Sequence, residues 1–238
     1  MTDHAERLLA QTCEAWGFPL SDEQLARFRV YADELAAWNA HTNLTAIGDR
    51  EGVYVRHFLD SLALAPQLGP APGSLIDLGT GAGFPGVPLK LLRPELKLTL
   101  VDSVGKKTAF LVHLVSRLGL RDARVVTARA EELGRDPAER ERYGVVTARA
   151  VADLRVLAEY GLPLLGVGGR MLAPKGAGAQ EEAAAAARAI GLLGGELAAV
   201  EPVALPGVEP RALVIIAKVA PTDRRYPRPV GVPARKPL

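Results

Sequence analysis

The chain has 238 residues, 48% of them hydrophobic, and a formal net charge of +2; that suffices for one large domain or a domain with an appended subdomain, and argues against a disordered chain. A single cysteine, Cys13, excludes an intramolecular disulfide and any multi-cysteine zinc site, so no metal centre is expected. The opening Met-Thr-Asp-His-Ala-Glu lacks a basic segment and a following apolar one, and no apolar run approaches the roughly 18 residues of a membrane-spanning helix. A cytoplasmic protein with no membrane partner is expected.

Residues 1–68 read as a helical subdomain. Ser21 followed by Asp22 and Glu23 makes an N-cap with acids in the first turn, and Phe28, Tyr31, Leu35 and Trp38 recur at helical spacing as a core-facing stripe. A second helix is predicted over 51–65, with Val55, Phe58, Leu59 and Leu62 as its apolar face. Residues 66–73 have the composition of a linker. Over 69–220 short apolar runs alternate with longer helical segments: 75–78, 98–101, 125–127, 144–148 and 170–173 read as buried strands, and 88–92, 106–118, 154–165 and 180–193 as helices. Such alternation predicts an α/β domain built on a parallel sheet. Residues 212–218 form a further strand with no evident helix before it, predicted antiparallel at or near an edge.

Residues 221–238 are a basic, proline-rich tail. From Lys218 onward six cations face one acid, so this segment carries +5 on a body of −3. Arg224, Arg225, Arg228, Arg235 and Lys236 are interleaved with prolines that keep the segment extended. The pattern suits a contact to a phosphate backbone, a strap folded back beside the active site, or a solvated tail.

The most informative segment is a strand that reaches Asp77 and then runs through Gly79, Gly81 and Gly83 to Phe84, Pro85 and Gly86. Glycines at such a turn permit positive φ and let a ligand lie almost against the backbone. The spacing alone fits a dinucleotide fold or a methyltransferase. Asp77 directly before the first glycine, and Pro85 and Pro88 where a pyrophosphate would need free N–H groups, favour S-adenosylmethionine. The next strand ends at Asp102, placed to accept both hydroxyls of a ribose from either kind of cofactor. Ala130 and Glu131 follow the third strand, where an amide and an acceptor can read an adenine edge; Glu131 equally suits an acid at a helix start.

Missing residues narrow the chemistry. Methylating pyrimidine C5 requires a cysteine nucleophile, and Cys13 lies away from every strand end. Methylating an exocyclic amine usually relies on an Asn/Asp-Pro-Pro-Tyr/Phe turn after the fourth strand, where this chain has Thr147-Ala148-Arg149-Ala150. A ring nitrogen such as guanine N7 carries an in-plane lone pair at neutral pH and needs alignment rather than a base. Arg149 after strand four, Lys175 after strand five, and Lys106 and Lys107 after strand two place cations outside the carboxyl ends of the strands, as a phosphate-rich acceptor would require; Lys106 and Lys107 equally suit solvated helix charges. His57, Asp60 and Ser61 share one helix face, and the residues alone assign them no role beyond an Arg56–Asp60 pair beside a histidine.

With these residues in view, the chain resembles the bacterial 16S ribosomal RNA guanine-N7 methyltransferases, the glucose-inhibited division protein B family. The matching segments are Asn43-Leu44-Thr45-Ala46, Arg56-His57-Phe58-Leu59-Asp60-Ser61, the glycine loop from Asp77 to Gly86, Leu100-Val101-Asp102-Ser103 with Lys106-Lys107, Arg149-Ala150, Lys175-Gly176 and the closing stretch from Tyr226. The resemblance implies a Rossmann-like class I S-adenosylmethionine-dependent methyltransferase, with a seven-stranded, mostly parallel sheet under an N-terminal helical cap. It further implies cofactor contacts at Gly79, Gly81, Gly83, Phe84, Asp102, Ser103, Ala130, Glu131 and Arg149, with Arg149 and Lys175 acting by orientation and electrostatics. Lys106, Lys107, Arg224, Arg225, Arg228, Arg235 and Lys236 would meet RNA. The expected partner is 16S rRNA, in the small ribosomal subunit or its assembly intermediate, and the expected state a monomer. A same-fold methyltransferase with another substrate, and a non-catalytic ribosome-assembly factor, are the alternatives; the intact glycine loop speaks against the second.

Overall fold

A computed structural model of the chain describes residues 4–69, 73–149 and 152–238. The start of the chain, residues 70–72 of the linker stretch, and Ala150 beside Arg149 lie outside the described residues.

Two helices open the fold, α1 (His4–Ala15) and α2 (Asp22–Thr42). Ser21 Oγ accepts from the Gln24 N–H at 3.2 Å while Gln24 Oε1 accepts from the Ser21 N–H at 2.9 Å, a reciprocal cap of the kind that stabilises a helix start by about 1 kcal/mol. The single helix predicted over 51–65 is three pieces: α3 (Arg50–Val53), a π-helical turn (Tyr54–Leu59) and α4 (Asp60–Leu62), followed by a 3-10 turn (Ala65–Leu68).

The sheet has seven strands: β1 (Ser74–Leu78), β2 (Lys97–Asp102), β3 (Ala123–Thr127), β4 (Tyr143–Ala148), β5 (Leu165–Lys175), β6 (Gly195–Val203) and β7 (Arg211–Lys218). They lie in the order β3-β2-β1-β4-β5-β7-β6. The first five pair in parallel, and β7 runs antiparallel to both β5 and β6. The strand predicted over 212–218 is therefore antiparallel, and one place in from the edge. The edge belongs to β6, which the sequence reading lacks. Its residues carry Glu196, Glu201 and Pro202 and are mostly half-buried or exposed, as suits an edge protected by charge and proline. Between strands run α5 (Gly86–Leu92), α6 (Gly105–Arg117), α7 (Ala130–Leu133), α8 (Leu154–Gly161) and α9 (Ala179–Leu192). The helix predicted over 154–165 stops at Gly161, because a 3-10 turn carrying Pro163 (Leu162–Leu164) turns the chain into β5.

The N-terminal helices pack on one face of the sheet and share its core. Phe28, Tyr31, Leu35 and Phe58 join Leu75, Leu98, Leu100 and Phe110 in one buried cluster. The opposite face, with Ile76, Val101, Val146, Leu157 and Ile190, forms a second, against which Tyr226 and Leu238 of the tail pack. No described helix is long and apolar enough to cross a membrane.

The tail is bound along its length. The buried Lys218 ammonium donates to the carbonyls of Leu162 (2.8 Å) and Leu193 (3.1 Å) and to Thr222 Oγ1. Arg140 donates to the carbonyls of Thr222 (2.6 Å) and Tyr226 (2.7 Å), and Arg135 to that of Pro227 (2.8 Å). Arg228 clasps the fully buried Glu159, its Nη2 lying 2.6 Å from Oε2. Beyond it the chain ends in a short helix, α10 (Val232–Arg235).

Candidate active site

The turn after β1 gathers around Asp77. Its Oδ2 accepts from Thr80 Oγ1 at 2.6 Å and from the Gly86 N–H at 2.8 Å, which pins both ends of the glycine loop to one carboxylate. Complete burial pushes its pKa up to about 7, against the two hydrogen bonds that lower it; Oδ1 has no partner among the described residues. Gly79 (φ 64°) and Gly81 (φ 61°) take the left-handed conformation that glycine adopts without a Cβ penalty. A Cβ on Gly81 would project into open space, with only the Gly79 carbonyl as near as 4.0 Å. Gly83 differs: a Cβ there would meet Tyr31 Oη at 2.7 Å and Val87 at 2.9 Å, so that glycine lets the loop close against the helical cap.

At the end of β2, Asp102 accepts from the Gly81 N–H (3.0 Å) and the Val104 N–H (2.9 Å). A carboxylate has about four acceptor sites, so capacity remains for a diol. Asp102 lines a cavity of about 220 Å³ together with Gly79, Ser103, Ala130, Glu131 and Tyr160. Five of the residues expected at the cofactor are thus brought to one wall. Glu131 is buried and accepts from the Gly231 N–H at 2.9 Å. Ala234 of the tail closes the same cavity. An exposed Gly79, an acid with spare acceptor capacity and a buried second acid lining the same cavity fit the ribose and base of S-adenosylmethionine.

Arg149, at the end of β4, is 15% exposed and meets Asp60 Oδ2 at 2.8 Å and His57 Nδ1 at 2.9 Å. Its guanidinium carbon lies 5.1 Å from the centre of the Phe84 ring. The glycine loop, β4 and the helical cap therefore converge on this arginine.

Residues 24–207 match the family described as rRNA small subunit methyltransferase G. The chain is 61% identical over 231 residues to a ribosomal RNA small subunit methyltransferase G of Roseiflexus sp. (strain RS-1), covering 97% of this chain and 99% of that one. It is 58% identical, over the full length of both, to the protein of the same name from Chloroflexus aggregans. The chain belongs to the rRNA small subunit methyltransferase G family. Among solved structures it is similar to a 16S rRNA (adenine(1408)-N(1))-methyltransferase from Catenulisporales acidiphilia, with a TM-score of 0.53 and 16% identity over 68% of this chain and 93% of that one; at that identity the likeness concerns the fold alone. The fold is that of class I methyltransferases, and S-adenosylmethionine is the family's cofactor.

Other residues singled out from the sequence of this family member lie elsewhere or are engaged. Lys175 donates to the Ala152 carbonyl (2.8 Å) and pairs with Glu182 (2.7 Å), tying the end of β5 to the starts of α8 and α9. Lys107 reaches Asp102 at 3.7 Å, while Lys106 is exposed. Arg224, Arg225, Arg235 and Lys236 are exposed, whereas Arg228 is committed to Glu159. Sequence reasoning missed Tyr160, Ala234 and Thr45 as contributors to the site. Tyr160 and Ala234 carry no motif, and Thr45 sits in the matching Asn43–Ala46 segment with no chemistry attached to it.

Burial, and then the neighbouring Arg149 cation, push the His57 imidazole down to about 3. The folded chain refuses a proton that the unfolded chain takes up below about 6.5, so this residue makes stability fall as pH drops from about 6.5 toward 3. Its share reaches about 2 kcal/mol by about pH 5. Denaturant unfolding of wild type and His57→Leu at about pH 5 and 7 checks this. The stability difference should shift in the variant's favour at the lower pH, and a constant difference would mean that His57 is not held neutral.

Proposed function

We propose that this chain transfers a methyl group from S-adenosylmethionine to N7 of a guanine in the 16S rRNA of the small ribosomal subunit. The observation that carries this reading is the state of the one imidazole beside Arg149. His57 Nδ1 is occupied by the arginine and its Nε2 by Thr45, and Asp60 is bound to Arg149. The groups best placed to take a proton are already committed, so the site suits an acceptor that brings its own lone pair. Guanine N7 is such an atom.

When bound, S-adenosylmethionine supplies a methyl group on a sulfonium, a good leaving group, and the chain has only to align the attack. Gly79, Asp102, Ser103, Ala130 and Glu131 would hold the nucleoside part, and Phe84 and Arg149 would lie toward the acceptor. Arg149 would direct its remaining N–H donors at the base's O6, an acceptor that arginine reads on guanine, which leaves the N7 lone pair free for the methyl group. The exposed cations of the tail, with Lys106 and Lys107, would contact phosphates. We read residues 1–68 as a cap that completes the site, 69–220 as the methyltransferase domain, and the protein as a cytoplasmic monomer.

Mass spectrometry of small-subunit RNA from a strain lacking the gene, with and without the gene restored, tests the reaction. One 7-methylguanosine should vanish and return; an unchanged RNA would refute the reading. The cofactor half is tested separately by Gly81→Val. A side chain there fills open space beside the loop and strains a backbone held at φ 61°, so calorimetry should find S-adenosylmethionine binding lost while circular dichroism remains that of the folded chain. Unchanged affinity would mean that the loop does not cradle the cofactor.

A further inference from the structure

The segment Arg56-His57-Phe58-Leu59-Asp60-Ser61 supplies every acceptor that Arg149 uses among the described residues. Arg149 Nη1 donates to Asp60 Oδ2 at 2.8 Å and to the Arg56 carbonyl at 3.1 Å, and Nη2 donates to His57 Nδ1 at 2.9 Å. These bonds take three of the five N–H donors of a guanidinium. The Nε–H and one Nη2–H have no partner among the described residues, and they are the pair that remains to meet a ligand.

One short turn can offer three acceptors because it is wound wide. In a regular helix the Asp60 N–H would donate to the carbonyl of Arg56, four residues back. Here it is directed to Val55, five residues back, and to His57, and Arg149 takes the Arg56 oxygen. Single π turns of this kind recur at functional sites. Asp60 itself is 3% exposed and stands between two arginines, with Arg211 Nε at 3.5 Å from its other oxygen.

His57 can accept from Arg149 only as a neutral ring protonated at Nε2. Arg149, which can only donate, fixes that form, and the Thr45 hydroxyl accommodates it: Oγ1 lies 2.8 Å from Nε2, where it can accept, and accepts from the Ile47 N–H at 3.1 Å. Thr45 is in turn clamped to Asn39 through its N–H (2.9 Å) and its carbonyl (3.0 Å). The imidazole stacks on Phe84 at 4.3 Å and 16°, and Phe84 stacks on Tyr31 at 5.3 Å and 17°. The arginine is thereby held from two sides, by acceptors of the helical cap and by an aromatic ring of the glycine loop.

The geometry points to His57 and Asp60 as positioning residues for Arg149 in methyl transfer, with Thr45 holding the Nε2 side of the imidazole. They act through the guanidinium rather than on the reacting atoms: a long, flexible side chain is frozen before substrate arrives, with its free edge already aimed. The inference rests on the reading of Arg149 as the group that orients the base.

A double-mutant cycle, read by single-turnover methylation of small ribosomal subunits, tests it. His57→Ala should lower the rate by about 100-fold, the scale of a small misplacement of a catalytic group, with S-adenosylmethionine affinity unchanged by calorimetry. In an Arg149→Ala background the same substitution should cost nothing further. Thr45→Val, which keeps the side chain's shape but removes the hydroxyl that meets both His57 Nε2 and the Ile47 N–H, should cost about 10-fold with S-adenosylmethionine affinity unchanged. Nitrogen-15 spectra should show His57 protonated at Nε2 and bare at Nδ1. Independent losses in the double variant, or a proton on Nδ1, would overturn the inference. If His57→Ala does not fold, Thr45→Val and the spectra still decide. An inactive Arg149→Ala beside fully active His57→Ala and Asp60→Asn would remove the positioning role alone, whereas an active Arg149→Ala would remove the reading beneath it.

Discussion

Arg228→Ala is expected to destabilise the chain by about 3–5 kcal/mol, the usual cost of stripping one partner from a buried ion pair. Glu159 is fully buried, and its oxygens accept from Arg228 Nε (2.9 and 3.1 Å), Nη2 (2.6 Å) and the backbone N–H (2.7 Å). The substitution leaves that carboxylate with only the backbone donor. Arg224→Ala and Arg225→Ala, at exposed positions, should each move stability by no more than about 0.5 kcal/mol. Denaturant unfolding of the three variants separates the two classes. A loss below about 1 kcal/mol for Arg228→Ala would place the pair among the weak surface bridges. The tail also meets Glu131 through Gly231 and walls the cavity with Ala234, so S-adenosylmethionine affinity should fall along with stability. Of the tail's cations, Arg224, Arg225, Arg235 and Lys236 are then the ones left for the proposed contacts to RNA. Replacing all four should flatten the salt dependence of RNA binding, by somewhat less than one slope unit per lost phosphate contact, while the fold survives.

Arg149→Ala should lower methyl transfer by about 100- to 1,000-fold, as for other single preorganised donors. Cofactor affinity should fall far less, because Gly79, Asp102 and Glu131 line a cavity to which Arg149 does not contribute. Some stability should also go, since Asp60 keeps only Arg211 at 3.5 Å. Arg149→Lys should rescue little: an ammonium on a flexible stem cannot bond three acceptors and keep a second edge free in one plane. Rates within about tenfold of wild type for the alanine variant would take Arg149 out of the mechanism.

What the sequence made legible follows the strength of local signals. Asp77, the glycine turn and Asp102 are recognisable because they interrupt apolar strand runs at fixed spacing, and they meet in the structure as that spacing implies. Strand β6 was illegible because an edge strand with Glu196, Glu201 and Pro202 looks like a loop. The π turn at Tyr54–Leu59 keeps an apolar stripe that a regular helix would show equally well, so the change in winding leaves no trace in residue type. Arg228 looks identical to Arg224 in a charge count. Only the buried Glu159, 69 positions earlier, separates them, and a contact that remote has no local signature.

The cavity is also assembled from distant parts of the chain. Gly79 and Asp102 come from its first half, while Ala234 comes from its last turn of helix. During synthesis from the N-terminus all seven strands are translated before that last wall. A nascent chain stalled after β7 would own a complete sheet and an open, leaky nucleoside cavity, and would gain its grip on the cofactor only as the final residues dock. Its grip on a nucleoside is thus expected to be one of the last properties the chain acquires as it is made.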